Sequence, residues 1–292
     1  MRVLDLGQEA LIFEDLKMAM SMLTRDYHQV PATRHEYMGV ELKAGGAHLE
    51  QYMESLRLSP KFRDWVDKVK EQNVIDLRSF TLTDVDFFGP VAPDKLGFFK
   101  GNCEAYDALT NEQILSNIVF GRGGCVACLV ICTAEIAGVK RRLVPMTEQI
   151  RLASGGRRIE AVAGMLDSRT REFRGPVVQE LEEEFGITIS ESDTRLRRLP
   201  GNKAWPSPGV CDEAIDLFYL ELDITAQQFN EMSTRTYGTG GGESPIRIRF
   251  YDYNTFDDVL NEVGDFKAGE MWRRYQLMKR REAAAVRETN EG

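Results

Sequence analysis

Three glutamates that share one predicted helix face are the residues best suited to chemistry in this 292-residue chain. Pro176 suits the first turn of a helix and Gly186 a left-handed helix end, so the spacing predicts a helix over 176–185. Glu180, Glu183 and Glu184 then lie on one face, beside the apolar face. Such neighbours repel one another unless a divalent cation lies between them, and Mg²⁺ and Mn²⁺ prefer oxygen ligands. The alternative is an ordinary glutamate-rich exposed helix.

Histidine and cysteine offer no comparable site. His28, His35 and His48 all precede residue 49, so histidine cannot serve a site formed further along the chain. Cys125 and Cys128 form a C-x-x-C pair, but they lie in an uninterrupted apolar run and no second pair completes a zinc site. The run predicts a buried strand whose thiols act as small apolar side chains. The odd cysteine count favours a reducing compartment over a disulfide framework.

The charge and hydropathy of the chain exclude broad classes of partner. There are 37 Lys and Arg against 46 Asp and Glu, a net charge of −9, whereas nucleic acid and anionic lipid attract positive charge. A phosphate-bearing ligand therefore needs a local cationic site or a bound metal. The longest apolar stretch is far below the ~18 residues that span a bilayer, so we expect no membrane partner. The first residues look like no presequence, and we expect an intracellular location, either the cytoplasm or the matrix of a mitochondrion or plastid.

The elements that would position these residues change in character along the chain. Residues 1–74 are predicted to be a helical N-terminal extension, with helices over 10–23 and 48–74 and a new start at Ser59-Pro60. Residues 75–265 are predicted to form a mixed α/β domain, and 266–292 a C-terminal helix that continues a helical pattern from about 255. The alternating or apolar segments predict strands over 74–88, 96–106, 125–132, 142–148, 215–222 and 246–251.

The acidic helix and the loop before it resemble a Nudix box, whose family pattern is G-x5-E-x7-R-E-U-x-E-E-x-G-U, with U an aliphatic residue. The run Gln179-Glu-Leu-Glu-Glu-Glu-Phe-Gly-Ile187 matches every fixed position of the second half except the arginine, which is Gln179 here. Gly164 lies one residue further back than in the strict pattern, and Glu172 follows it by eight residues instead of six. The resemblance implies the Nudix fold, an α+β fold with a mixed sheet sandwiched between helices.

Within that family the spacing resembles the plant-type ADP-sugar diphosphatases, whose longer box loop begins Ala-Gly-Met-Leu-Asp. Two segments outside the box resemble the same branch: Thr147-Glu-Gln-Ile-Arg151 upstream, and Pro206-Ser-Pro-Gly-Val-Cys-Asp-Glu213 downstream. The likeness covers roughly residues 60–285.

The resemblance assigns roles to the box residues. Glu180 and Glu184 match the family's metal-binding glutamates, Glu183 matches a metal ligand or water-activating residue, and the carbonyl of Ala163 matches a backbone ligand. This implies Mg²⁺ as the cofactor, with Mn²⁺ as a substitute. The reaction would be attack of water on a diphosphate that links a nucleoside to another group.

Three residues outside the box are implied in the same way. Glu243, in the Gly240-Gly-Gly-Glu-Ser-Pro loop, corresponds to a general base that some relatives carry on a distant loop, which glycine hinges would let close over substrate. If that segment is a simple hairpin loop, Glu183 activates water instead. Arg151 and Glu213 are expected to contact substrate phosphate and sugar, although single arginines at strand ends are also common on protein surfaces.

Three functions fit these expectations. The first is Mg²⁺-dependent cleavage of an ADP-sugar or ADP-ribose to AMP and a sugar phosphate. The second is the same chemistry on RNA 5′ ends, in mRNA 5′ processing or stability. The basic terminal helix could bind such an RNA. The alternative for this helix is an ordinary solvated face, because cations are favoured at a helix C-terminus in any case. The third is a non-catalytic Nudix-fold subunit, for which Gln179 is the only sign, because glutamine lacks the charge and fork of arginine. By resemblance we expect a homodimer formed through the N-terminal arm.

Overall fold

A five-stranded sheet forms the first part of the described chain. The structure is a computed structural model that describes residues 35–166, 174–237 and 245–291. The sheet has the order β1-β2-β3-β4-β5, with bounds β1 His35–Tyr37, β2 Val40–Ala44, β3 Ile75–Phe87, β4 Leu96–Asp107 and β5 Ile118–Gly121. Strands β2 and β3 run parallel, and β4 runs antiparallel to both β3 and β5. Two helices pack on this sheet: α1 (Met53–Leu58) and α2 (Pro60–Gln72).

An aromatic cluster joins α2 to its sheet. The Phe62 ring lies 5.3 Å from both Phe80 of β3 and Phe99 of β4, measured between ring centroids. Trp65, one turn further along α2, lies 5.4 Å from Phe80. Edge-on contacts of this kind stabilise a core beyond the area that they bury, so α2 is firmly fixed to this sheet.

The structure differs from the predicted helical extension between residues 35 and 44, where β1 and β2 are strands. Val40 and Leu42 are buried while Glu41 and Lys43 are not. This two-residue alternation is the pattern of a half-buried strand, and the short length of the segment hid it among helical neighbours. The predicted helix over 10–23 and the arm expected to form a dimer lie outside the described residues.

A second sheet of eight strands carries the remainder of the chain. Its order is β10-β11-β6-β7-β13-β12, with β8 paired to β7 and β9 paired to β6. The strands are β6 Cys125–Ile136, β7 Val139–Arg151, β8 Gly156–Glu160, β9 Val162–Met165, β10 Leu196–Arg198, β11 Ile215–Ile224, β12 Thr236–Tyr237 and β13 Ile246–Asp252. Because β6 and β11 are parallel while β6 and β7 are antiparallel, the sheet is mixed. The predicted α+β class is confirmed.

Strand β6 is buried on both faces over residues 125–132, which explains why this part of its sequence is apolar without interruption. Val126 and Cys128 point into a core shared with α3 (Arg174–Phe185) and α4 (Ala226–Thr234). Cys125 points into a second core with α5 (Phe256–Val263) and α6 (Phe266–Glu291). The sheet thus lies between helices, as predicted. The two cysteines of the C-x-x-C face opposite sides, and burial raises the pKa of Cys125 to about 12.

The predicted helix from 255 is interrupted between α5 and α6. Gly264 has φ +66°, a left-handed conformation that ends α5 and that glycine adopts without strain. The side chain of Asp265 then accepts a hydrogen bond from the backbone N–H of Ala268, 3.1 Å away, and caps α6. No described helix is long and apolar enough to cross a membrane.

Candidate active site

The helix α3 lies against β9 at a glycine. A Cβ atom added to Gly164 would lie 1.7 Å from Oε1 of Glu180 and 2.2 Å from its Cδ. The carboxylate of Glu180 therefore occupies the space that any other residue's side chain would fill at position 164. The glycine of the box-like motif is needed here for a close approach between strand backbone and carboxylate.

Packing of α3 fixes which of its acids face inwards. Val177, Leu181 and Phe185 are fully buried in the core beneath the helix. On the adjacent face Glu184 is also buried, with 7% of its surface exposed, and Glu180 is half-buried. These two carboxylates, four residues apart, lie one above the other on a helix and both line the same cleft.

Glu183 is placed differently from its two neighbours. It is exposed, and its Oε1 accepts a hydrogen bond of 2.8 Å from Nε2 of Gln179. Gln179 lines the cleft, but Glu183 is not among the lining residues. Gln179 thus bonds a box glutamate where the family pattern has an arginine, with one neutral donor in place of a charged fork.

A cleft of about 860 Å³ brings most of the predicted site residues together. It lies between α3, the β7–β8 hairpin, the loop before β11 and the start of α6. Its lining includes five of the predicted residues: Arg151, Ala163, Glu180, Glu184 and Glu213. Glu243 and Glu172 lie outside the described residues.

An ion-pair cluster links three of the elements around the cleft. Nε of Arg151 lies 2.6 Å from Oε2 of Glu160, and Nζ of Lys267 lies 3.4 Å from Oε1 of the same carboxylate. Lys267 also lies 3.2 Å from Oδ1 of Asp265. Oδ2 of Asp265 accepts a hydrogen bond of 2.9 Å from the backbone N–H of Ala161, between β8 and β9. The start of α6 is therefore bonded to the strand junction just before Ala163.

The pKa values in this cluster follow from mutual pairing. Burial alone would lower the pKa of Lys267, but the carboxylates of Asp265 and Glu160 outweigh burial and raise it. Burial alone would raise the pKa of Glu160, but Lys267 and Arg151 outweigh burial and lower it. Both shifts favour the charged forms of Lys267 and Glu160.

A second pair lies on the opposite side of the cleft. Nε of Arg122 lies 3.3 Å from Oε1 of Glu213, whose side chain is mostly buried. The turn that presents Arg122 is held by Asp212, whose Oδ1 accepts hydrogen bonds from the backbone N–H of Arg122, at 2.7 Å, and of Gly123, at 2.9 Å. Both segments that resemble the plant branch, 147–151 and 206–213, thus reach this cleft.

Sequence reasoning missed five charged residues of the cleft: Arg122, Arg158, Glu160, Asp265 and Lys267. Glu160 has a sequence signal, because it lies three residues before Ala163 in a short strand. Lys267 had none, since its position beside Glu160 depends on the packing of α6 against the sheet.

The donors in the cleft fit a hard divalent cation. Glu180, Glu184 and the backbone of Ala163 supply oxygen donors only, and Gly164 leaves the space that the Glu180 carboxylate requires. Within 35–166, 174–237 and 245–291, no three His, Cys, Asp or Glu side chains cluster as a metal site. Two carboxylates and a carbonyl suit Mg²⁺, which keeps several water or phosphate ligands.

One known protein is similar to this chain in sequence. Nudix hydrolase 14, chloroplastic, from Arabidopsis thaliana is 28% identical over 206 residues, which cover 67% of this chain and 64% of that protein. The chain thus spans less than two thirds of that relative's length. No family model matches the chain. The predicted resemblance to the Nudix hydrolases is confirmed by this relative.

Two solved structures are also similar. The crystal structure of an ADP compounds hydrolase has a TM-score of 0.42 at 12% identity and covers 70% of this chain and 97% of its own. A mutT/nudix family protein from Listeria innocua has a TM-score of 0.36 at 16% identity, with coverages of 58% and 98%.

Proposed function

We propose that this chain is a Nudix hydrolase that cleaves the diphosphate of an ADP-sugar or ADP-ribose to AMP and a sugar phosphate, with Mg²⁺ as cofactor. One observation carries the proposal. The Glu180 carboxylate packs against the backbone of Gly164, in a cleft that Glu184 and Ala163 also line. An exposed glutamate-rich helix would need neither the glycine nor the buried Glu184.

Different groups of the protein would bind the metal and activate water in this reaction. Glu180, Glu184 and the Ala163 carbonyl would hold the metal, which when bound neutralises phosphate charge and lowers the pKa of water. Glu183, held by Gln179 at the edge of the site, is proposed either as a further metal ligand or as the residue that activates water. The proposed role of Glu243 as general base concerns a residue outside the described ranges.

The proposed substrate rests on the two segments that resemble the plant branch. Arg151 and Glu213 come from these segments, and both line the cleft that holds Glu180. Glu213 would accept hydrogen bonds from substrate hydroxyl groups, while the cationic groups of the cleft would attract its phosphates.

The alternative of RNA 5′ ends loses support from the terminal helix. Arg273 and Arg274 lie 2.8 Å and 2.7 Å from carboxylate oxygens of Glu270, and Lys279 lies 3.1 Å from Glu221. The basic residues of this helix that suggested nucleic-acid binding are Arg273, Arg274, Lys279, Arg280 and Arg281. The first three of them are therefore paired within the protein. The homodimer remains a prediction.

Incubation of the protein with Mg²⁺ and either ADP-glucose, ADP-ribose or 5′-triphosphorylated RNA tests the proposal. We expect release of AMP from an ADP-linked substrate and a loss of about a hundredfold or more in Glu180→Gln. The matched control is Glu182→Gln, an exposed acid on the same helix, which should retain full activity. Absence of turnover with every substrate would refute the proposal, and so would full activity of Glu180→Gln.

A further inference from the structure

One cation of the cleft differs from the other three in its partners. Arg122, Arg151 and Lys267 each lie within 3.4 Å of a carboxylate oxygen. Arg158 instead donates both of its hydrogen bonds to Ser154: Nε to the hydroxyl at 2.9 Å, and Nη2 to the backbone carbonyl at 2.6 Å. Among the residues that the structure describes, no carboxylate forms an ion pair with Arg158. Its positive charge therefore has no carboxylate partner within the described part of the chain.

The strand β8 directs Arg158 into the cleft. Arg158 pairs with Gln149 of β7, and both residues line the cleft. Its neighbour Arg157 is absent from the lining, so the cleft begins at Arg158 on this strand. Glu160, two residues along the same face, lies about 7 Å further down the strand. On β8, Arg158 lies between Gly156, which pairs with Arg151, and Glu160.

The two bonds to Ser154 also fix the plane of the guanidinium. A group that is already oriented loses less conformational freedom when it binds a ligand. Arginine donates charge-assisted hydrogen bonds to phosphate oxygens with a geometry that lysine cannot reproduce. In a chain with net charge −9, an oriented cation with no described carboxylate partner is suited to bind an anion.

We propose that Arg158 binds a phosphate group of the substrate diphosphate, whereas Arg151, which the family resemblance implies in this role, positions Glu160. The choice of a diphosphate as ligand rests on the proposed function. The assignment between the two arginines rests on their different partners. Arg151 would have to leave a carboxylate 2.6 Å away to bind phosphate, and Arg158 would not.

Calorimetric titration of the full chain with inorganic diphosphate in the presence of Mg²⁺ tests the assignment. We expect the Kd to rise about tenfold to a hundredfold in Arg158→Gln, as for the loss of one charge-assisted contact. Arg158→Lys should recover part of the affinity, because it restores the charge without the fork. Arg157→Gln is the matched control, with the same charge change at a residue outside the cleft lining, and should bind as the wild type does. Arg151→Gln should change the Kd less than threefold.

Several results would overturn the assignment: wild-type affinity in Arg158→Gln, an equal loss in Arg157→Gln, a larger loss in Arg151→Gln, or no detectable binding by the wild type. Hydrolysis of ADP-ribose measured on the same samples separates the two proposals. Weaker diphosphate binding in Arg158→Gln without hydrolysis by the wild type would refute the proposed function alone. Wild-type hydrolysis with unchanged binding in Arg158→Gln would refute the role of Arg158 alone.

Discussion

Two ion-pair clusters connect the helix α6 to the mixed sheet, and only one of them faces the cleft. The inner cluster consists of Arg151, Glu160, Asp265 and Lys267, and the outer cluster of Arg142, Glu221, Tyr275 and Lys279. In each cluster a cation from β7 and a lysine from α6 share one glutamate.

The surroundings of the two clusters differ. In the outer cluster the Arg142 guanidinium lies 3.9 Å from the centre of the Tyr253 ring, and Tyr275 donates to Glu221 from within the aromatic core. The inner cluster lines the cleft and is bonded through Asp265 to the strand junction before Ala163. The same pairing thus anchors a helix in one place, and in the other it also orients groups around the candidate site.

The largest effect should come from disturbing the cleft without touching either cluster. Gly164→Ala would place a Cβ within 1.7 Å of the Glu180 carboxylate. We expect kcat/KM to fall about a hundredfold, because a displacement of about 1 Å of a catalytic group has this effect. The measurement is steady-state hydrolysis of the substrate found for the wild type.

The matched control for this change is Gly269→Ala on α6, where an added Cβ meets no atom within 4 Å. That variant should keep full activity and gain up to about 1 kcal/mol of stability, since alanine is the better helix former. Equal activity of Gly164→Ala and the wild type would contradict the claim that activity requires the close contact between the Glu180 carboxylate and Gly164.

Breaking the inner cluster should have the next largest effect. Lys267→Met leaves Glu160 with Arg151 alone and Asp265 without its ammonium partner. We expect kcat/KM to fall about tenfold, as for the loss of a residue that orients functional groups, and Lys267→Arg to restore most of it. Kinetics that do not change in Lys267→Met would show that the inner cluster is only an anchor.

Breaking the outer cluster should separate stability from activity. Glu221→Gln removes the charge that Arg142 and Lys279 share. Because the Glu221 side chain is 38% exposed, we expect a loss of only about 1 kcal/mol in the free energy of unfolding. Urea denaturation measures this loss, and kcat/KM should stay within twofold of wild type. A kinetic loss as large as that of Lys267→Met would abolish the distinction between the clusters.

The smallest effect concerns acid stability. Burial alone would raise the pKa of Glu221, but hydrogen bonds from Tyr275 and Lys279 outweigh burial and lower it; the pKa of Glu160 is lowered in the same sense. The ordinary pKa of a glutamate carboxyl group is 4.5. When folding lowers this pKa, the ionised carboxylate stabilises the protein at pH values above 4.5. This stabilisation is lost as the pH falls below 4.5 and the group becomes protonated in the folded protein. The free energy of unfolding should therefore depend less on pH below 4.5 in Glu221→Gln than in the wild type. Identical pH profiles from denaturant titrations would contradict this.

The strands and the acidic helix could be predicted because their sequences carry their own periodicity. Residues 125–132 of β6 are all apolar, and Pro176 and Gly186 indicate a helix whose apolar side chains recur with its period. The described helix includes two residues before Pro176 and ends at Phe185, as predicted. The contact between Glu180 and Gly164 was not predicted, because it joins residues from two elements. The family resemblance implied only that Glu180 and the Ala163 carbonyl are metal ligands.

Other features could not be predicted because they depend on tertiary packing. The Glu183 carboxylate shares a helix face with Glu180 in projection, yet it bonds Gln179 at the surface. Whether each of these carboxylates is buried or exposed depends on how deeply α3 packs into the core, and the periodicity of the sequence does not indicate this depth. Lys267 reaches Glu160 across 107 positions of the chain, and no local pattern indicates such a contact.

A crystal structure of the wild-type protein grown with Mn²⁺, with the metal located by its anomalous scattering, tests the central claim most directly. We predict a Mn²⁺ ion bound by the carboxylates of Glu180 and Glu184 and by the carbonyl oxygen of Ala163. An ion bound elsewhere, or none in this cleft at a saturating concentration, would contradict the account.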